Sequence, residues 1–299
     1  MNTTTETHTL RGVVCTALGG VCWGFSGTCG QYLFSTWDFS PTYLTCVRLL
    51  AAGLIMTTLA AFKNREQLLG VWKNRRDAVE LVCFGCLGLM PCSFAYMTAI
   101  SYSNAATTTV LQNLSLVFIM LIACAAARRR PTRVELLSLL LAAFGTWVLA
   151  TGGNPGHMVL SPKGLLWGLI TAGGVTVYTV LPRNLLLHWG RDVVIGCGTL
   201  IGGVILNLAT RSWTFSPQLP LRGWLAVLAV IFLGTVMSLS LFMQGVADIG
   251  PVRTSMLSTT EPMSAAVFSA LWLGTRFSPA DLVGFACILA TIFLLSKSE

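Results

Sequence analysis

Gly20-Val-Cys-Trp-Gly-Phe-Ser-Gly-Thr-Cys-Gly30 and Gly164-Leu-Leu-Trp-Gly-Leu-Ile-Thr-Ala-Gly-Gly174 are one pattern met twice. Gly20, Trp23, Gly24 and Gly30 return as Gly164, Trp167, Gly168 and Gly174, all at an offset of 144. A Trp-Gly pair repeated inside two apolar stretches points to an internal duplication. A second block runs at an offset of 146. It sets Leu87-Gly88 beside Leu233-Gly234, Met97 beside Met243, Thr108 beside Thr254, Leu111 beside Leu257 and Leu136 beside Leu282. Both blocks keep the order of the apolar stretches that carry them.

A helix needs about 20 mainly apolar residues to cross about 30 Å of hydrocarbon. Ten stretches read that way: 11–33, 41–62, 78–101, 104–126, 133–151, 163–182, 191–210, 222–246, 250–273 and 279–296. The 299 residues are 54% hydrophobic and 10% charged, with a mean hydropathy of +0.73. A soluble domain is about 25% charged, so a soluble enzyme is excluded. The expected fold is an all-α integral membrane protein of ten transmembrane helices in two five-helix repeats, 11–151 and 163–296. Five is odd, so the second copy must enter the membrane from the opposite side. Inverted repeats of this kind build secondary transporters, with the substrate near the bilayer midplane between the halves.

Lys and Arg in the links set the orientation. One side carries Arg11, Lys63, Arg65, Lys73, Arg75, Arg76, Arg128, Arg129, Arg130, Arg133, Arg183, Arg191, Arg253 and Lys297. The other carries Lys163, Arg211, Arg222 and Arg276, and Arg48 alone lies within a span. Both termini are therefore expected in the cytoplasm, and the first span reads as a retained helix rather than a signal peptide. The net charge of +8 follows from topology. It calls for the lipid bilayer as partner, not nucleic acid, which would need a clustered basic patch on a solvated domain.

The polar residues inside the spans are the candidates for function. Thr108, Gln112 and Ser115 follow i, i+4, i+7 spacing and share one helical face; Thr254, Ser258 and Glu261 do the same. Such stripes turn from lipid toward other helices or a wet cavity. They line a cavity on one reading and supply interhelical hydrogen bonds on the other. Glu261 is the only acidic residue deep within a span. It binds a cationic group or titrates on one reading, and is a neutral structural Glu before Pro262 on the other. Arg48 is a snorkelling arginine or a countercharge for an anionic substrate group. Trp23, Trp167, Tyr96, Tyr178 and Gln244 lie on spans that frame the repeat interface, where packing is the alternative to ligand contact. The Gly20–Gly24 and Gly164–Gly168 pairs read as close helix contacts.

No nucleophile–base or paired-carboxylate arrangement is visible, and no metal or other cofactor is expected. Cys83 and Cys86 form a C-x-x-C without a nearby His, which reads as buried free thiols. A nucleotide-binding pattern is absent from the sequence, so direct ATP drive is not expected.

Trp23-Gly-Phe-Ser-Gly27, Ser103-Asn-Ala-Ala-Thr-Thr-Thr-Val-Leu-Gln112, and Glu261-Pro262 followed by Leu273-Gly274 resemble the EamA family of the drug/metabolite transporter superfamily. The resemblance covers nearly the whole chain as two halves. It implies an inner-membrane permease, usually an exporter of amino acids, metabolites or drugs, with a cavity lined by helices 1, 3, 4, 6, 8 and 9. By position, Trp23, Tyr96, Gln112, Trp167, Tyr178, Gln244 and Ser258 would line that wall. Two residues depart from the family pattern. Leu116 stands where the family often has Pro, so helix 4 is expected to be straighter than helix 9. Thr275 stands where a Glu is common, which removes an outer ion pair or cap.

The resulting expectation is an exporter of a small metabolite, amino acid or related compound, working by alternating access. A lipid-modifying membrane enzyme and a non-transporting sensor are the alternatives. Helix-packing glycines serve contacts within or between chains, so a homo-oligomer stays open.

Overall fold

Helix ends in this chain follow local capping chemistry. α1 runs Thr3–Trp37, and α2, Pro41–Lys63, starts where Ser40 accepts a hydrogen bond from the Tyr43 N–H and Pro41 takes the first helical position. The short α3 (Arg65–Lys73) meets α4 (Arg75–Cys83) at Asn74, whose side chain accepts from the Arg76 N–H. A π-helical turn, Phe84–Leu89, carries α4 into α5 (Met90–Tyr102). Asn104 caps α6 (Ala105–Gln112), and α7 (Ser115–Ala126) follows a turn at Asn113 and Leu114. α8 (Arg133–Thr151) opens on a reciprocal Thr132–Glu135 capping box and closes on Gly152 at φ +62°.

The remaining helices are α9 (Pro162–Val180), α10 (Arg183–Trp189), α11 (Arg191–Thr210), α12 (Leu221–Ile231), α13 (Ser238–Ile249), α14 (Thr260–Leu273) and α15 (Pro279–Leu295). A second π turn, Phe232–Met237, joins α12 to α13. The computed structural model describes residues 3–154, 156–215, 217–250, 253–254 and 257–295, and among them all regular structure is helical. Residues 251, 252, 255 and 256 of the expected ninth span, Ser296 of the tenth, and the topogenic Lys297 lie outside the described residues.

Seven helical segments among the described residues are long and apolar enough to cross a membrane. They are Thr9–Trp37, Pro41–Lys63, Arg75–Tyr102, Ala105–Ala126, Arg133–Thr151, Arg191–Thr210 and Leu221–Ile249. The other three expected spans are helical but fall short. Pro162–Val180 is diluted by glycines, threonines and Lys163, Thr260–Leu273 has 14 residues, and Pro279–Leu295 has 17.

The helices pair in a regular scheme. α1 packs on α13 and α14, while α9 packs on α5 and α6. α2 pairs with α11, α8 with α15, and α6 with α14. Lipid gives little hydrophobic drive for helix association, so close contact needs small residues. At Gly24 a Cβ would sit 2.6 Å from the Glu261 carbonyl oxygen and 2.7 Å from the Ala265 nitrogen, so α1 and α14 touch backbone to backbone. The glycines of α9 also mark close contacts: Gly168 faces the Leu111 side chain of α6, and Gly174 faces the Cys92 backbone of α5.

One expectation is corrected. The stretch 104–126 is not the straighter partner of 250–273, because both are interrupted at matching places. In the first, Asn113 and Leu114 bond back three residues, to Val110 and Leu111. The Asn113 side-chain amide donates to the Thr109 carbonyl at 3.1 Å and takes a backbone donor's place in the ladder. In the second, Ser258 and Thr259 form a turn and the Glu261 N–H bonds back to Ser258. Asn113 marks the break in the first stretch, although Leu116 stands where the family often has Pro.

Candidate substrate site

The two ionisable residues expected deep within spans, Arg48 and Glu261, come from different helices, α2 and α14. Arg48 on α2 is half-buried, and its Nε donates to Thr235 Oγ1 at 3.2 Å. Thr235 belongs to the second π turn, Phe232–Met237. A π turn adds a residue to one helical turn and re-aims the side chains within it, which is why such turns gather at functional sites. Arg48 is close enough to Tyr96, Tyr178 and Glu261 to interact with them electrostatically. Among the described residues Arg48 and Glu261 form no direct ion pair, so each keeps hydrogen-bonding capacity for a third group.

Glu261 begins the first turn of α14, directly after the break at Ser258 and Thr259. Its backbone is held against Gly24 of α1, while its side chain is half-buried. Tyr96 on α5 is buried, and its hydroxyl shares a hydrogen bond of 3.1 Å with Thr109 Oγ1. Tyr178 on α9 packs over Gly88, where a Cβ would lie 3.0 Å from the Tyr178 Cβ. Gly88 belongs to the first π turn, Phe84–Leu89. The two π turns therefore supply the seats of Arg48 and Tyr178.

The repeated tryptophans make matching contacts. The Trp23 ring lies 5.3 Å from Phe242, and the Trp167 ring lies 5.6 Å from Phe94. Both tryptophans are half-buried. Arg191 lies over the Phe242 ring at 5.9 Å, so this residue of the basic-link set also borders the interior.

The other expected residues divide. Thr108 and Thr254 are fully buried and bonded locally, Thr108 to Ser103 Oγ at 3.0 Å and Thr254 to the Gly250 carbonyl at 2.7 Å. Gln112 and Ser258 are half-buried at the two helix breaks. Gln244 donates to Asp248 Oδ1 at 3.0 Å, and Asp248 is held by Arg11 through Nε at 2.8 Å and Nη2 at 2.7 Å. That places Gln244 in a latch between the start of α1 and the end of α13.

Sequence reasoning missed several participants. Thr235 looked like an ordinary span threonine. Arg11 and Asp248 looked like end-of-span charges, although the Gln244–Asp248 spacing of one helical turn was a readable signal. Gln31 was not considered, yet it ties four segments together. Its Oε1 accepts from the Ala105 N–H at 2.9 Å and from Ser269 Oγ at 3.1 Å, and its Nε2 donates to Thr275 Oγ1 at 3.0 Å. Thr275, the departure from the family's Glu, is thus anchored by a neutral hydrogen bond.

The sequence pattern of the EamA-like transporter family matches residues 10–151 and again residues 162–297. The chain is 35% identical over 290 residues to YicL of Salmonella typhimurium, named an uncharacterized inner membrane transporter, and covers 96% of both chains. It is 22% identical over 281 residues to the uncharacterized transporter YwfM of Bacillus subtilis, covering 92% of this chain and 90% of that one. A solved crystal structure matches in fold with a TM-score of 0.61 at 18% identity, covering 97% of this chain and 96% of its own. The chain is a multi-pass membrane protein and belongs to the EamA-like transporter family.

Proposed function

We propose that the chain is a secondary exporter of a small metabolite carrying both charges, such as an amino acid, and that it works by alternating access between two inverted five-helix halves. The observation that carries the reading is the placement of Arg48 and Glu261. They sit on α2 and α14 within electrostatic reach of one another and form no direct ion pair among the described residues. A buried charge with no partner is unfavourable, and a bound ammonium and carboxylate would satisfy both at once. Arg48 would take the carboxylate, with Thr235 aiming its guanidinium, and Glu261 would take the ammonium. Trp23, Trp167, Tyr96 and Tyr178 would supply walls, with Gln112 and Ser258 at the helix breaks.

The ten-span inverted repeat is supported by matched detail. Exchanging the halves converts the α1 packing on α13 and α14 into the α9 packing on α5 and α6, and leaves the α2–α11 and α8–α15 pairs unchanged. The twin π turns, helix breaks and Trp–Phe contacts follow the same exchange. The Arg11–Asp248 pair would close the side that the basic residues assign to the cytoplasm, along with both termini. Rocking of the halves would open it.

Purified protein in proteoliposomes preloaded with a labelled amino-acid mixture tests this reading. Efflux of a subset, abolished in E261Q and R48Q, is the expected result. Efflux of none, with folded protein confirmed, would overturn it. A protease-accessible tag at each terminus of cells checks the orientation, and cytoplasmic location of both is expected.

A further inference from the structure

The junction of α3 and α4 holds a crevice of about 360 Å³ lined by Trp72, Lys73, Arg75, Ala78, Val79, Val82 and Cys83. That volume lies within the roughly 300–1,000 Å³ of small-molecule sites. The crevice has a charged end and an apolar end. Lys73 closes α3 and Arg75 opens α4, so two cations stand at one rim. Val79 and Val82 continue from them along one face of α4 and are 57% and 37% exposed, which makes an apolar track open to the bilayer.

Nearby acidic groups do not neutralise the rim. At 3.6 residues per turn Asp77 and Glu80 project from α4 away from the Val79–Val82 face. Asp77 is engaged elsewhere: it accepts from Asn74 Nδ2 at 2.9 Å and from Trp189 Nε1 of α10 at 2.8 Å. Among the described residues neither Lys73 nor Arg75 forms an ion pair or a side-chain hydrogen bond, whereas Arg129 holds Glu135 at 2.6 Å and Arg11 holds Asp248 at 2.7 Å. Trp72, 48% exposed, forms the wall between rim and track, and an indole suits the headgroup level of a bilayer.

We propose that this crevice binds an anionic phospholipid from the inner leaflet, with its phosphate between Lys73 and Arg75 and an acyl chain along Val79 and Val82. Basic pockets beside helices on the cytoplasmic side select anionic headgroups in this way. The occupant is a lipid rather than a soluble phosphate because the track beyond the cations is apolar and faces hydrocarbon. The leaflet rests on the cytoplasmic orientation proposed above, while the site itself depends on neither the substrate nor the direction of transport.

Native mass spectrometry of the detergent-purified full chain tests it, with phosphatidylglycerol or phosphatidylcholine added. The wild type should retain phosphatidylglycerol about tenfold over phosphatidylcholine. K73Q/R75Q should lose that preference, and V79W, which fills the track without changing charge, should lower retention several-fold. R128Q/R130Q removes two basic residues from another link and should bind as the wild type does. Equal loss in R128Q/R130Q, undiminished binding in K73Q/R75Q or in V79W, or full displacement by inorganic phosphate would each overturn the proposal. Unchanged thermal unfolding of K73Q/R75Q distinguishes loss of the site from loss of the fold.

Discussion

Two pairs of opposite charges bridge the helices of this protein, and they are built differently. Near the start of α1, Arg11 grips Asp248 through two nitrogens at 2.7 and 2.8 Å, and Gln244 adds a third bond. In the interior, Arg48 donates its Nε to Thr235 and, among the described residues, forms no ion pair with the Glu261 carboxyl. A closed pair satisfies itself and holds two helices together. An open pair leaves hydrogen-bonding capacity on both groups, and it endures where a ligand or water completes it. Under the proposed function the contrast separates two roles: the end pair would fix a conformation, and the interior pair would receive the substrate.

The largest expected effect comes from breaking the open pair. E261Q and R48Q should each lower transport by about 100-fold or more, because a charge-assisted contact to substrate is lost in a site with little water. Proteoliposome flux measures it, and unfolding curves close to the wild type confirm that the fold stands. Next in size is the closed pair. D248N should change the flux by about three- to tenfold through the balance of open and closed states, while substrate affinity stays near its original value. The swap R11D/D248R should recover most of it, and failure of the swap with folded protein would mean that Asp248 has another task.

Smaller again is the support of Arg48. T235V removes the acceptor for Nε and should reduce flux about three- to tenfold, while T235S should stay near the wild type, since only the hydroxyl is needed. The smallest effect should come from a closed pair remote from the path. Arg129 and Glu135 form a bidentate bridge beside the α8 capping box. R129Q should leave flux within about twofold while lowering the thermal midpoint, because capping and pairing there act on the start of α8. A large flux loss from R129Q would blur the distinction between the two kinds of pair.

How visible these features were from the sequence depends on their chemistry. Arg48 and Glu261 stood out because a charge in an apolar run is visible without knowing its neighbours. The repeated Trp23-Gly24 and Trp167-Gly168 pairs announced the duplication, and their glycines lie at close helix contacts. Thr235 was not legible: it is an ordinary residue in a span, and its partner is 187 positions away. The π turns were also hidden, since they reflect packing of the finished bundle and carry no composition of their own. The helix-breaking signal in this stretch lies three residues before Leu116. Asn113 competes for backbone carbonyls and interrupts the helix by itself. Thr108 and Thr254 fitted a polar stripe, and only their burial shows that their hydroxyls are already occupied.

The most direct test is a double-mutant comparison of Arg48 and Glu261, read as efflux of labelled amino acids from proteoliposomes of wild type, R48Q, E261Q and R48Q/E261Q. If the two groups hold opposite charges of one substrate, the double variant transports no better than either single one. If they serve only to neutralise each other, removing both relieves the stranded charge, and R48Q/E261Q recovers flux lost in the single variants. That recovery would contradict the account.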